Sequence, residues 1–127
     1  MNRKSGIWGS AFLATAVAFG AFGAHYLKGV MGPNSLETFH TGVDYQFIHG
    51  LGLILLGFAK AALSEKYFKW GGNFMILGVI LFSGSLYLLS MQDWMGINAS
   101  FLGPITPLGG LCFILGWLFT LMGFLKQ

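Results

Sequence analysis

The side chains able to do chemistry concentrate in one stretch, residues 38–63, TFHTGVDYQFIHGLGLILLGFAKAAL. There His40, Asp44, Tyr45, Gln46 and His49 lead into an almost wholly apolar run. Tyr45 and His49 are four residues apart, as are His40 and Asp44, and on a helix each pair shares a face and can stack or hydrogen-bond. At 100° per residue Thr38, Gly42, Tyr45 and His49 form one polar face, and His40 with Asp44 lies about 140° away from His49. The Tyr45 and His49 face is expected to look inward, because an ionisable group set deeper in a membrane has more need of partners. For His49 two readings stand side by side: a structural hydrogen bond to Ser83, Ser85 or a carbonyl, and a ligand- or proton-binding role. His40 with Asp44 reads most simply as a surface pair.

Other chemistries lack their residues. No phosphate loop, nucleophile elbow or zinc-spaced cluster occurs, so no catalytic set, metal site or cofactor is indicated. Two histidines on different helices could hold a haem, but no further ligation pattern accompanies them. Cys112 is the single cysteine, which rules out an intrachain disulfide and any CxxC motif.

The elements that must position these groups are membrane helices. Of 127 residues 55% are hydrophobic and 9% charged, with mean hydropathy +0.71, against roughly 25% charged in an average soluble domain. At about 20 residues per span the length accommodates four helices in one transmembrane domain, with spans expected near 7–25, 38–63, 70–90 and 106–125. Arg3 and Lys4 before an apolar run ending in small residues also fit a cleaved leader, but the run exceeds a usual leader core, and a retained first span is expected. Asn34 with Glu37 reads as a capping box for the second helix, and Thr106 with Pro107 as the cap and first residue of the fourth. The net charge of +3 comes from Lys and Arg scattered between spans, not from a basic stripe, so nucleic acid is not an expected partner. With both termini cytoplasmic, Arg3, Lys4, Lys60, Lys66, Lys69 and Lys126 fall inside and Lys28 alone outside.

Counting outward from the inner end of each helix puts His25, Tyr45, Tyr87 and Thr106 near the outer edge. His49 then lies about 7 Å within it, at 1.5 Å per residue, and Ser83 and Ser85 one to two turns inside. Polar side chains of all four helices thus converge in the outer third, leaving the inner half apolar apart from Lys60, which can snorkel. Each helix also carries small residues seven apart: Gly9, Ala16, Gly23; Gly50, Gly57, Ser64; Gly71, Gly78, Ser85; Gly109, Gly116, Gly123. Such ladders let backbones approach closely, and a tight all-α four-helix bundle is expected.

GAFGAH at residues 20–25, HTGVDYQFIH at 40–49, LFSGSLY at 81–87 and ITPLGG at 105–110 resemble the family known as domain of unknown function 423, or transmembrane protein 256-like. The resemblance spans essentially the whole chain. It implies a four-helix protein of a bacterial inner membrane or of mitochondria, and no established reaction. Its motifs fall on Gly20, Gly23, His25, Tyr45, Gln46, His49, Ser83, Ser85, Tyr87, Thr106, Pro107 and Gly110. Asp44 matches no shared position. The ligand-binding candidates are therefore His25, Tyr45, Gln46, His49, Ser83, Ser85, Tyr87 and Thr106. The expected function is a binding or accessory protein whose outward-facing polar pocket takes a small molecule, a lipid or a partner helix. The alternative is a small transporter or channel acting as a homo-oligomer, since polar groups near the midplane, which alternating access wants, are missing from a single chain.

Overall fold

The computed structural model describes residues 2–126, all of them in helices and short connections. Four helical segments are long and apolar enough to cross a membrane: Arg3–Gly29, Pro33–Ala62, Glu65–Met95 and Ser100–Leu125. The first contains α1 (Arg3–His25) and the second α2 (Pro33–Phe58), which tightens into a 3-10 turn over Ala59–Ala62. The third joins α3 (Glu65–Gly78) to α4 (Gly84–Met95) through a π-helical turn, Val79–Ser83. The fourth contains α5 (Ile105–Leu125). The helices therefore extend past the apolar spans, with Arg3, Lys4, Lys66 and Lys69 inside their first two turns.

Two helix starts differ from the capping signals. Gly32 is the N-cap of α2 and Pro33 its first residue, a position where the missing N–H costs nothing, so Asn34 is already helical and its carbonyl accepts from the Thr38 hydroxyl at 3.0 Å. Pro104 precedes α5, and Thr106 lies inside the first turn with its hydroxyl turned to Ser85. A cross-helix partner has replaced the local cap. Gly96 closes α4 in the left-handed region at φ 68°, where a Cβ would be strained.

The ladders of small residues are where the helices meet. The buried residues of α1 are Ser5, Gly9, Ala16 and Gly23, the last three being its ladder. A Cβ on Gly9 would stand 2.8 Å from the Gly50 carbonyl oxygen of α2, and one on Gly71 would stand 3.1 Å from that of Gly116 in α5. A Cβ on Gly109 would collide with the backbone nitrogen of Phe82, in the π turn. Contact this close is the main source of helix association where lipid is as apolar as the side chains.

These contacts occur in pairs. A shift of 62 positions (Gly9 to Gly71) carries Trp8, Gly9, Phe12, Val17 and Leu27 onto Trp70, Gly71, Phe74, Val79 and Leu89. A shift of 66 (Gly50 to Gly116) carries Phe47, Ile48, Gly50, Leu55, Gly57, Phe58 and Lys60 onto Phe113, Ile114, Gly116, Leu121, Gly123, Phe124 and Lys126. The geometry repeats with the sequence. The Asn2 amide donates to the Gly57 carbonyl at 3.3 Å, and the Ser64 amide to the Gly123 carbonyl at 3.2 Å. Gly23 faces His40 as Ser85 faces Thr106. The bundle is two copies of one helical hairpin, α1 with α2 and α3–α4 with α5.

The hairpins join along α2. Leu53, Leu56, Leu63, Phe68 and Met75 form a core near the end that carries the termini. Leu27, Phe39, Val43 and Tyr87 form a second core near the opposite, distal end. The polar residues fall between and around them.

Candidate functional site

Eight candidate residues were expected to meet, and the structure brings seven of them onto the facing sides of α2, the π turn, α4 and α5. Gln46 is the hub. Its Nε2 donates to the Phe12 carbonyl at 2.8 Å and to the Thr15 hydroxyl, and its Oε1 accepts from the Tyr87 hydroxyl at 2.6 Å. One amide thus binds α1, α2 and α4 together. Phe19 and Phe39 enclose the Tyr87 ring, each with its centroid 5.1 Å away. A Cβ on Gly42 would stand 2.8 Å from that ring. Glycine at 42 is what lets the phenol reach Gln46.

Ser83 is fully buried and donates to the Gly42 carbonyl at 2.7 Å, using the second lone pair of a helical carbonyl. Its place in the π turn lets a polar residue enter the α2 interface. Ser85 and Thr106 share a hydrogen bond between α4 and α5, and the Ser85 hydroxyl also reaches the Phe82 carbonyl at 2.9 Å.

His49 is buried, at 3% exposure, and both ring nitrogens are engaged. The Trp117 indole N–H donates to Nε2 at 3.0 Å, so Nε2 is unprotonated and Nδ1 carries the hydrogen, which it gives to the Tyr45 carbonyl at 2.8 Å. The Phe113 ring stacks on the imidazole at 3.6 Å between centroids and 12° between planes. The Tyr45 ring lies nearly parallel to the imidazole at 6.2 Å and 13°, and 6.0 Å from the Phe113 ring. A neutral imidazole fits this setting; a second proton on Nε2 would face the indole N–H and break that bond.

Two residues sit differently from expectation. Tyr45 was placed with His49 on the inward face, yet it is 40% exposed. The inward sector of α2 is centred on Gly42, Gln46, His49 and Leu53, and Tyr45 lies on its rim, packed on Phe82. His25 is exposed near the end of α1, apart from the other seven. Thr15, Gly42, Phe113 and Trp117 belong to the site and were not among the candidates. A hydroxyl in the middle of the apolar first span was a usable signal for Thr15; Trp117 had none beyond an indole N–H in need of an acceptor.

The cluster is closed. Every buried side-chain nitrogen and oxygen among the described residues has a partner. Open space lies elsewhere. At the distal end a cavity of about 270 Å³ is lined by Met31, Pro33, Asn34, Ser90, Asp93 and Trp94, among others. Ser90 in its wall donates to the Tyr87 main-chain carbonyl at 2.7 Å, a bond within α4. At the opposite end a cavity of about 310 Å³ lies among Lys4, Ser5, Lys60, Glu65, Lys69 and Asn73, bridged by a Lys4 to Asn73 hydrogen bond of 2.6 Å. Between the two stands the core around Leu53, Leu56 and Met75.

Four apolar helices and a closed polar knot define a small polytopic membrane protein. The chain belongs to the protein family of unknown function DUF423, whose profile matches residues 19–110. It is 41% identical to the UPF0382 membrane protein YwdK of Bacillus subtilis over 121 residues, 94% of either chain. It is 40% identical to the UPF0382 membrane protein SH2409 of Staphylococcus haemolyticus over 120 residues, 94% of this chain and 93% of that one. It is also 37% identical to the UPF0382 inner membrane protein YgdD of Escherichia coli K12, over 87% of this chain and 80% of that protein. No solved structure matches. The chain is a membrane protein of this uncharacterised family, as its motifs implied.

Proposed function

We propose that the protein is a binding or accessory protein of the bacterial inner membrane, with both termini cytoplasmic and its polar pocket at the distal, outward end. The observation that carries this reading is the distal cavity itself, which is lined by the polar side chains of Asn34, Ser35, Ser90 and Asp93. In this reading Asn34, Ser90 and Asp93 meet the ligand, and Gln46, His49, Ser83, Ser85, Tyr87 and Thr106, none of which lines the cavity, fix the helices that carry it. A cavity of this size takes a small molecule or a lipid headgroup that offers donors to Asp93 and Asn34. The transporter alternative has less support, because the Leu53, Leu56 and Met75 core fills the path between the two cavities of one chain.

Native mass spectrometry of protein released gently from its own membrane tests the proposal. A reproducible bound mass is expected on the wild type and on a lipid-facing control, Leu55→Ala. It should be lost from Ser90→Leu and weakened in Asp93→Ala. A wild type without a bound mass, or a mass that both cavity variants retain, would remove the pocket reading.

A further inference from the structure

The cavity at the end that carries the termini differs in kind from the distal one. Lys4, Lys60 and Lys69 line it, and Glu65 is the one acid among its described lining residues, so three ammonium groups against one carboxylate leave two positive charges in excess. Arg3, Lys66 and Lys126 carry charge at the same end but stand outside the lining. Basic residues that only oriented the chain in the bilayer would have no need of a shared cavity. Two of the ammonium groups are held at its wall. Lys4 donates to Asn73 Oδ1 at 2.6 Å, and Lys60 Nζ lies 5.8 Å from the centroid of the buried Phe68 ring.

The neutral groups of the cavity are donors as well. Ser5 is buried, at 5% exposure, yet its hydroxyl has no bond within the protein among the described residues, and it opens on the cavity it lines. The bond from Lys4 to Oδ1 leaves the Asn73 Nδ2 hydrogens without a protein acceptor among the described residues. The Asn2 side-chain oxygen is already taken by the Ser5 amide at 3.0 Å. The cavity also lies at the starts of α1 and α3, and the N-cap of α3, Ser64, makes no side-chain bond to the first-turn amides. The positive end of a helix adds to the attraction for an anion there. A lining of ammonium, hydroxyl and amide donors calls for a ligand that is all acceptor, and a phosphate is one. Further along α3 the wall turns apolar. Ile76 lies 11 residues beyond Glu65, about 16 Å along the helix at 1.5 Å per residue. A free phosphate would leave that wall bare, whereas a phospholipid covers it with glycerol and acyl chain.

We infer that this cavity holds the phosphodiester of an anionic phospholipid, with the Lys4, Lys60 and Lys69 ammonium groups and the Ser5 hydroxyl on its oxygens and an acyl chain along Ile76. Basic pockets between transmembrane helices hold anionic headgroups in this way. The excess of positive charge selects a headgroup without an ammonium of its own. The site is separate from the distal cavity and serves whichever leaflet faces the termini.

Native mass spectrometry of the full-length protein, stripped of lipid in detergent and given phosphatidylglycerol, phosphatidylethanolamine or inorganic phosphate in turn, tests this. Phosphatidylglycerol is expected to bind at lower concentration than phosphatidylethanolamine, and inorganic phosphate only at far higher concentration. Lys60→Gln/Lys69→Gln should weaken phosphatidylglycerol binding roughly 30-fold, at about fivefold for each ammonium near an anionic headgroup. Lys60→Arg/Lys69→Arg should retain it. Lys66→Gln/Lys126→Gln removes the same charge from the same end, outside the cavity, and should leave binding nearly unchanged. Ser5→Ala keeps every charge and should still weaken binding severalfold. Equal losses from the two glutamine pairs would mean attraction to a charged surface and overturn the proposal. So would equal binding of the two lipids, or displacement of phosphatidylglycerol by an equal concentration of inorganic phosphate, which would mark a site for a soluble anion. Ser90→Leu, in the distal cavity, should leave this lipid bound, so the two cavities are read separately; its loss from that variant would place the lipid at the wrong end.

Discussion

At the scale of single residues the polar groups act mainly on one another. Tyr87→Phe deletes the hydroxyl that satisfies Gln46 Oε1 and leaves that oxygen buried without a donor. Intramembrane polar contacts average ~0.6 kcal/mol and reach about 1.7. Tyr87→Phe belongs near the upper value, because Gln46 has no water to turn to. Thr15→Val should cost less, since the Gln46 amide keeps the Phe12 carbonyl. Reversible unfolding in mild detergent, with the double variant completing a cycle, measures both. Equal costs for the two would argue against Gln46 as the hub. Trp117→Phe keeps the ring and removes one N–H, freeing His49 Nε2; bilayer infrared or NMR signals of the imidazole are expected to change while the helices remain.

At the scale of elements, glycine position decides what a helix tolerates. Gly109→Leu drives a side chain into the Phe82 backbone, which cannot move without parting α5 from the π turn. The expected outcome is a loss of several kcal/mol, in the range of severe overpacking, or no folded protein. Gly84 has no neighbour within 4 Å of a would-be Cβ. Gly84→Ala should therefore be neutral or stabilise α4 by up to about 1 kcal/mol. Thermal unfolding of the two variants should separate them clearly, and equal destabilisation would show that helix contact is not what the ladders serve. Much of this was legible in the chain. The seven-residue spacing named the contact surfaces because close approach leaves no room for anything but Gly, Ala or Ser. The helix starts were misread because Asn34 and Thr106 look like caps locally, while proline geometry and the Ser85 partner, the latter distant in sequence, decide the outcome.

At the scale of the whole molecule the fold is a tandem of one hairpin, and its function rests on where the tandem differs. Gln46 and His49 in α2 have Cys112 and Leu115 as counterparts in α5, so the polar hub exists in the first hairpin and is absent from the second. The four-span count was readable from hydropathy. The depth count put the polar residues toward the distal end, whereas Gln46 bonds to Phe12 and Thr15 at the middle of α1 and His49 to Trp117 past the middle of α5. The pairing of His49 with Trp117 was not readable, because it depends on how α5 rotates against α2, which no local pattern records. The basic residues predict orientation. Lys28→Cys is expected to react with a membrane-impermeant thiol reagent on intact cells, and Lys126→Cys only after permeabilisation, in a Cys112→Ala background. The reverse pattern would place the distal cavity in the cytoplasm.

The central claim is that the intramembrane polar groups form a closed set, with His49 neutral and bonded on both sides. Nitrogen-15 NMR of histidine-labelled protein in bilayers, with His49→Gln for assignment, tests it most directly. Nδ1 is expected to be protonated and Nε2 unprotonated at neutral pH, with the Nε2 signal shifting in Trp117→Phe. A proton on Nε2, or a signal indifferent to Trp117, would contradict it.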